Sequence, residues 1–171
     1  MSVFLIGYRG CGKTTIGRKL ADRLWQSFVD VDERIVQRAG KTIKEIFEQD
    51  GEPAFREMEA DVVRECSLLQ DHVIALGGGT LQRKENYQQV TQPRHKVIYL
   101  KCDPEALLAR IRSDPGTAAT RPNLTALGGG LEEIQAMLAA REPVYRSAMT
   151  SELDVTNLAP EEAVVYIARM I

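Results

Sequence analysis

Residues 7 to 14 read GYRGCGKT, a glycine-rich run in which GxxxxGK is followed by a hydroxyl residue. This spacing suits the cradling of a polyphosphate when it joins a strand to a helix. Gly7, Gly10 and Gly12 let the backbone turn successive amides inward at an anion, and the helix that follows adds the positive end of its dipole. Lys13 is then the cation for the β- and γ-phosphates and the Thr14 hydroxyl a magnesium ligand. Gly10, Cys11, Gly12 and Thr15 complete the nucleotide loop, with Cys11 read as a small filler rather than a redox-active thiol.

A second group of residues could supply the acceptor chemistry. FVDVD, residues 28 to 32, sets Asp30 and Asp32 two apart, which puts both carboxylates on one side of an extended segment. Beside a polyphosphate, one carboxylate can hold magnesium through its water shell and the other can orient an attacking hydroxyl. A solvated strand end with a helix cap is the plainer alternative. Arg56, in FREME, offers paired donors matched to a carboxylate, and Glu59 three residues on can hold it or touch a hydroxyl. The same spacing also describes an ordinary exposed ion pair. Gly77, Gly78 and Gly79 follow the apolar run VIAL, where bare backbone can approach a ligand or simply turn.

The elements that must position these residues alternate. Short β-prone runs at 3–6, 28–31, 73–76, 96–101 and 153–155 are separated by helical patterns, which predicts a parallel sheet covered on both faces by helices, a three-layer α/β fold. Residues 12–25 place Ile16, Leu20 and Leu24 at four-residue spacing, as a buried helical face requires. Helices are expected over 42–50 and 52–69, parted by Gly51, with Gly40 ending an earlier one. Asp103 and Pro104 suit the cap and first turn of a helix running to about Arg112. Periodicity stops over residues 113–130, which reads as either a disordered stretch or a functional lid, with Gly128 to Gly130 as lid hinge or slack.

Length and composition bound these readings. The 171 residues are 44% apolar and 27% charged, sufficient for one domain spanning 1–171, with a helical insertion at about 32–70 as substrate roof. A net charge of -2 gives no drive toward nucleic acid or an anionic membrane. Cys11, Cys66 and Cys102 form no CxxC pair, and no apolar run approaches the length of a membrane span, so a cytoplasmic protein is expected. His72 and His95 have no metal-ligand spacing and are read as structural.

Taken in order, GYRGCGKTT, FVDVD, FREME, the GGG after VIAL, the RP of the lid and REPVYR resemble the shikimate kinase family along nearly the whole chain. The resemblance implies a P-loop kinase with a five-stranded sheet, acting as a monomer. It would use ATP and one magnesium ion to phosphorylate the 3-hydroxyl of shikimate on the route to aromatic amino acids. It implies further that Asp30 belongs to the magnesium shell, that Asp32 orients the acceptor, and that Arg56 and Arg141 bind the substrate carboxylate with Gly77 to Gly79. Arg121 would be the lid arginine that reaches ATP. Arg110 would pack on adenine, with Arg112 a rival, near a loop at 156–160. A gluconate or nucleoside monophosphate kinase is the nearest alternative. A GTP-dependent switch would need NKxD and DxxG, and neither occurs.

Overall fold

The computed structural model describes residues 1–116 and 127–171. Five parallel strands, β1 (Ser2–Ile6), β2 (Ser27–Asp30), β3 (His72–Ala75), β4 (His95–Lys101) and β5 (Ser151–Asp154), lie in the order β2-β3-β1-β4-β5. β1 is central, pairing Val3 with Val73 on one side and with Lys96 on the other. Successive side chains of a strand face opposite ways, and β1 divides accordingly. Phe4 and Ile6 enter one apolar cluster with Ile74, Val97 and Tyr99, while Val3 and Leu5 enter another with Val73, Ile98 and Leu100.

Helices cover both clusters. On the second face lies α1 (Lys13–Leu24), whose Ile16 and Leu20 are buried and whose Leu24 is partly so. The first face is roofed by α2 (Val31–Ala39), α3 (Ile43–Gln49) and α4 (Glu52–Leu68). Thr42 caps α3 reciprocally with Glu45, the Thr42 amide donating to Glu45 Oε2 at 2.7 Å. Gly40, at φ 64°, ends α2, and Gly51, at φ 87°, precedes α4. After β3 come a short 3-10 turn (Thr80–Gln82) and α5 (Lys84–Val90). Then follow α6 (Pro104–Ser113), α7 (Leu131–Ala148) and α8 (Pro160–Ala168).

One expectation is corrected. The second strand does not run through Val31, and Asp30 and Asp32 do not share a face of an extended segment. Asp30 is the cap of α2: its Oδ1 accepts from the amides of Asp32 at 3.0 Å and Glu33 at 3.2 Å. A carboxylate able to satisfy two first-turn amides starts the helix there, overriding the β preference of Val31. Asp32 therefore stands in the first turn of α2. Smaller shifts affect β3 and β5, which begin and end earlier than their apolar runs suggest. Asp103 sits at the cap position of α6, but its side chain makes no capping bond.

Candidate active site

The glycine-rich loop leaves β1 and enters α1 at the carboxyl end of the sheet. Gly7, Gly10 and Gly12 have φ of 143°, 85° and 97°, a region that side chains disfavour. At Gly7 a Cβ would also stand 2.6 Å from the Leu100 carbonyl oxygen, so neither backbone could stay in place. Lys13 Nζ donates to the carbonyls of Gly7 at 2.8 Å and Tyr8 at 3.0 Å, bracing the loop from within.

This loop walls a cavity of about 410 Å³ with Gly10, Gly12, Lys13, Thr14 and Thr15. Cys11 is fully buried in the core and does not line this cavity; its Sγ accepts from Lys13 Nζ at 3.7 Å and its carbonyl from Arg110 Nη1 at 3.4 Å. Opposite the loop stands Asp30, whose Oδ2 accepts from the Thr14 hydroxyl at 2.6 Å. Arg110 also lines the cavity; its Nη2 donates to the carbonyls of Val155 at 2.8 Å and Thr156 at 3.2 Å, tying the loop after β5 to the phosphate loop. Arg112 is exposed and off this wall.

A second, smaller cavity of about 60 Å³ continues from the first, and Arg9, Asp32, Gly77 and Gly78 line both. Asp32 thus stands where the two meet. Beyond it lie Arg56 and Glu59 of α4, Gly79, and Arg141 of α7. A Cβ at Gly79 would come within 3.1 Å of Arg56 Nη2 and 3.2 Å of Arg141 Nη2, so two guanidinium groups converge on one bare backbone position. Gly77 is bare for a similar reason: its Cβ would stand 3.0 Å from Asp32 Oδ1 and 3.2 Å from Glu59 Oε1.

The charges are braced unequally. Glu59, 1% exposed, accepts from Arg56 Nη1 at 2.9 Å and from the Thr80 hydroxyl at 2.6 Å. Burial pushes its carboxyl upward, against the Arg56 charge and the Thr80 hydrogen bond that favour the ionised form. Arg141 is 6% exposed, lies 5.8 Å from the Tyr8 ring centroid, and has a buried Nε with no hydrogen-bond partner among the described residues. A buried cation with donors to spare is suited to receiving an anionic group.

Of the residues expected at the site, Arg121 lies outside the described residues, as does most of the anticipated lid. Gly128 and Gly129, at φ 80° and 81°, fall in a turn at its far end. His72 and His95 line neither cavity. The site also includes residues that motif reading passed over. Arg9 occupies a free position of the loop pattern, and Thr80 directly follows the glycine triple. Tyr145 is buried, and its hydroxyl donates to the Gly78 carbonyl at 2.5 Å. Arg9 and Tyr145 carry a signal in their places within GYRGCGKTT and REPVYR; Thr80 carries none.

Comparison with known proteins bears on this geometry. The shikimate kinase family model matches residues 9–171. A shikimate kinase of Rhodopirellula baltica is 36% identical over 98% of this chain and 88% of its own length. One of Thermobifida fusca is 39% identical over 96% of this chain and 91% of its own. Among solved structures, the shikimate kinase of Acinetobacter baumannii in complex with shikimate superposes with a TM-score of 0.91, at 31% identity over 99% of this chain and 91% of that one. With its family model matched over residues 9–171 and relatives of this similarity over nearly its full length, the chain belongs to the shikimate kinase family.

Proposed function

We propose that this chain transfers the γ-phosphoryl group of ATP to the 3-hydroxyl of shikimate, giving shikimate 3-phosphate and ADP. The observation that carries this reading is the convergence of Arg56 and Arg141 at Gly79, one step along the cleft from Asp32 and the phosphate loop. Two guanidinium groups at one point call for an oxyanion: the carboxylate of shikimate or gluconate, or the phosphate of a nucleotide acceptor, against which the identity of the relatives speaks. The relatives' shared identity favours shikimate over gluconate, and nothing favours a nucleotide-dependent switch.

In this reading the triphosphate lies along the loop amides and the amino end of α1, with Arg110 against the base. Lys13 exchanges its loop carbonyls for phosphoryl oxygens, and the lid arginine Arg121 reaches them as the site closes. Asp32 accepts a hydrogen bond from the 3-hydroxyl, aligns its oxygen on the γ-phosphorus, and can take its proton as the new O–P bond forms and the bond to the ADP oxygen breaks. Gly78 and Gly79 leave room for the ring, with Gly77 opening the space beside both carboxylates.

Thr14 and Asp30 fit a hard divalent cation, because a hydroxyl and a carboxylate 2.6 Å apart on the wall of the phosphate cavity are the oxygen donors that magnesium prefers. Bound with ATP, magnesium would neutralise charge on the phosphoryl oxygens. A monomeric enzyme is part of this proposal. Three free, buried cysteines fit a reducing cytoplasm, and no described helix is long and apolar enough to cross a membrane. The test is ADP release with ATP and magnesium, offered shikimate, gluconate and AMP separately. Release strongly stimulated by shikimate alone is expected; equal or greater stimulation by gluconate or AMP overturns the assignment.

A further inference from the structure

REPVYR contributes Arg141 to the clamp, and its tyrosine, one helical turn later, has no part in the chemistry derived so far. Tyr145 is 1% exposed and is buried against the Tyr99 ring, with centroids 5.2 Å apart. Its phenol is nevertheless engaged: it donates to the Gly78 carbonyl at 2.5 Å. Gly78 is the residue whose Cβ would stand 3.1 Å from Arg141 Nη1, and the next residue, Gly79, is where Arg56 and Arg141 meet. The phenol thus links α7 to the loop after β3, two segments 67 residues apart.

We propose that Tyr145 is a positioning residue for the acceptor's carboxylate: its hydrogen bond to Gly78 sets the glycine loop in register with the helix that carries Arg141, so that the bare backbone at Gly79 and both guanidinium groups face one anion. This rests on the reading of the cleft as a carboxylate-acceptor site. A packing contact alone would not need the hydroxyl, and Tyr99 supplies the comparison. That ring is equally buried in the same cluster, yet no hydrogen bond joins its hydroxyl to the glycine loop. Burial raises the Tyr145 phenol above its ordinary range, against the opposing influence of Arg141 beside it, so the group remains a donor throughout the neutral range.

The acceptor for the test is whichever of shikimate, gluconate and AMP the wild-type enzyme phosphorylates fastest. Tyr145→Phe should raise KM for that acceptor about 3- to 10-fold, the worth of one buried hydrogen bond, with KM for ATP and kcat each within about twofold of wild type. Tyr99→Phe should leave all three unchanged. Combining Tyr145→Phe with Arg141→Lys should raise KM by clearly less than the product of the single effects, because both act on one clamp. Replacing Tyr145 with 3-fluorotyrosine keeps the ring and changes only donor strength, so a shift in acceptor KM is expected there even if Tyr145→Phe does not fold.

A Tyr145→Phe enzyme with unchanged acceptor KM, an equal rise in ATP KM, or a Tyr99→Phe enzyme with the same defect would each overturn the inference. So would an unaltered acceptor KM in the fluorotyrosine enzyme. If gluconate proves the preferred acceptor, the functional reading fails while Tyr145 is still tested on a carboxylate. Preference for AMP, which carries none, would sink both.

Discussion

The Thr14 hydroxyl and the Asp30 carboxylate are joined at 2.6 Å, and the other oxygen of Asp30 caps α2. One side chain therefore both starts a helix and faces the phosphate cavity. The two duties separate under substitution. Asparagine is as good a cap as aspartate, so Asp30→Asn should change stability by less than about 1 kcal/mol. It removes the charge offered to magnesium, however, and the magnesium concentration giving half-maximal rate should rise at least about tenfold, the weight of about 1.4 kcal/mol. Magnesium titration of the rate beside thermal melting checks this; a stability loss with unchanged magnesium dependence would leave Asp30 only its cap.

Asp32→Asn preserves shape at the junction of the two cavities and, on the proposed reading, removes the acceptor of the hydroxyl proton. The expected result is a kcat lowered by about 10²-fold or more, with ATP affinity by calorimetry within a few fold of wild type. Collapse of ATP binding with residual turnover would instead assign Asp32 to nucleotide or metal.

The arginines should separate kinetically. On the proposed reading, Arg56→Lys and Arg141→Lys would remove a paired contact to a part of the substrate that does not react, so each should raise the KM for shikimate by roughly 10- to 150-fold and leave that for ATP unchanged. Gly79→Ala, which inserts a methyl group within 3.1 Å of one guanidinium and 3.2 Å of the other, should do the same without removing either charge. Arg121→Ala should lower kcat far more than either KM. A shikimate KM defect confined to Arg121→Ala would exchange lid and clamp.

Gly17 lies inside α1, where alanine is favoured by about 1 kcal/mol on helix propensity. A Cβ there would stand 2.4 Å from a Phe28 ring carbon and 3.2 Å from a Leu5 methyl, so overpacking worth about 1 to 3 kcal/mol opposes the gain. Gly17→Ala should therefore destabilise the fold by up to about 2 kcal/mol, read from denaturant midpoints. A raised midpoint would mean that the Phe28 ring yields freely.

His95, 4% exposed beneath the Phe4 ring, is pushed below its ordinary range by burial and then by the neighbouring Arg94 charge. As pH falls below about 6.5, the unfolded chain takes up a proton that the folded chain refuses. Stability should decline from there down to the lowered folded value, with no pH dependence from His95 above about 6.5. His95→Gln should flatten the dependence of unfolding free energy on pH below about 6.5. Coincident slopes would show that His95 titrates normally.

Local chemistry made part of this molecule legible in the sequence. The phosphate loop needs glycines at fixed offsets and a lysine, all within eight residues, and Gly7, Gly10 and Gly12 adopt the backbone that this requires. The parallel sheet and the buried stripe of α1 follow from short-range periodicity. The end of β2 did not, because the tendency of Val31 to extend competes with the capacity of Asp30 to satisfy two amides, and the latter is visible only once α2 has packed. The clamp is the least local feature. Arg56, Gly79 and Arg141 come from α4, the loop after β3 and α7, and as residue types they fit surface ion pairs and turns equally well. Motif resemblance could name them, but their convergence, and the hydroxyl of Tyr145 reaching Gly78, arise only because packing helices against both faces of the sheet brings three distant segments to its carboxyl end. There burial withdraws competing water from the Arg141 guanidinium, so that a charge which would count for little on a surface can, on the proposed reading, hold an anion.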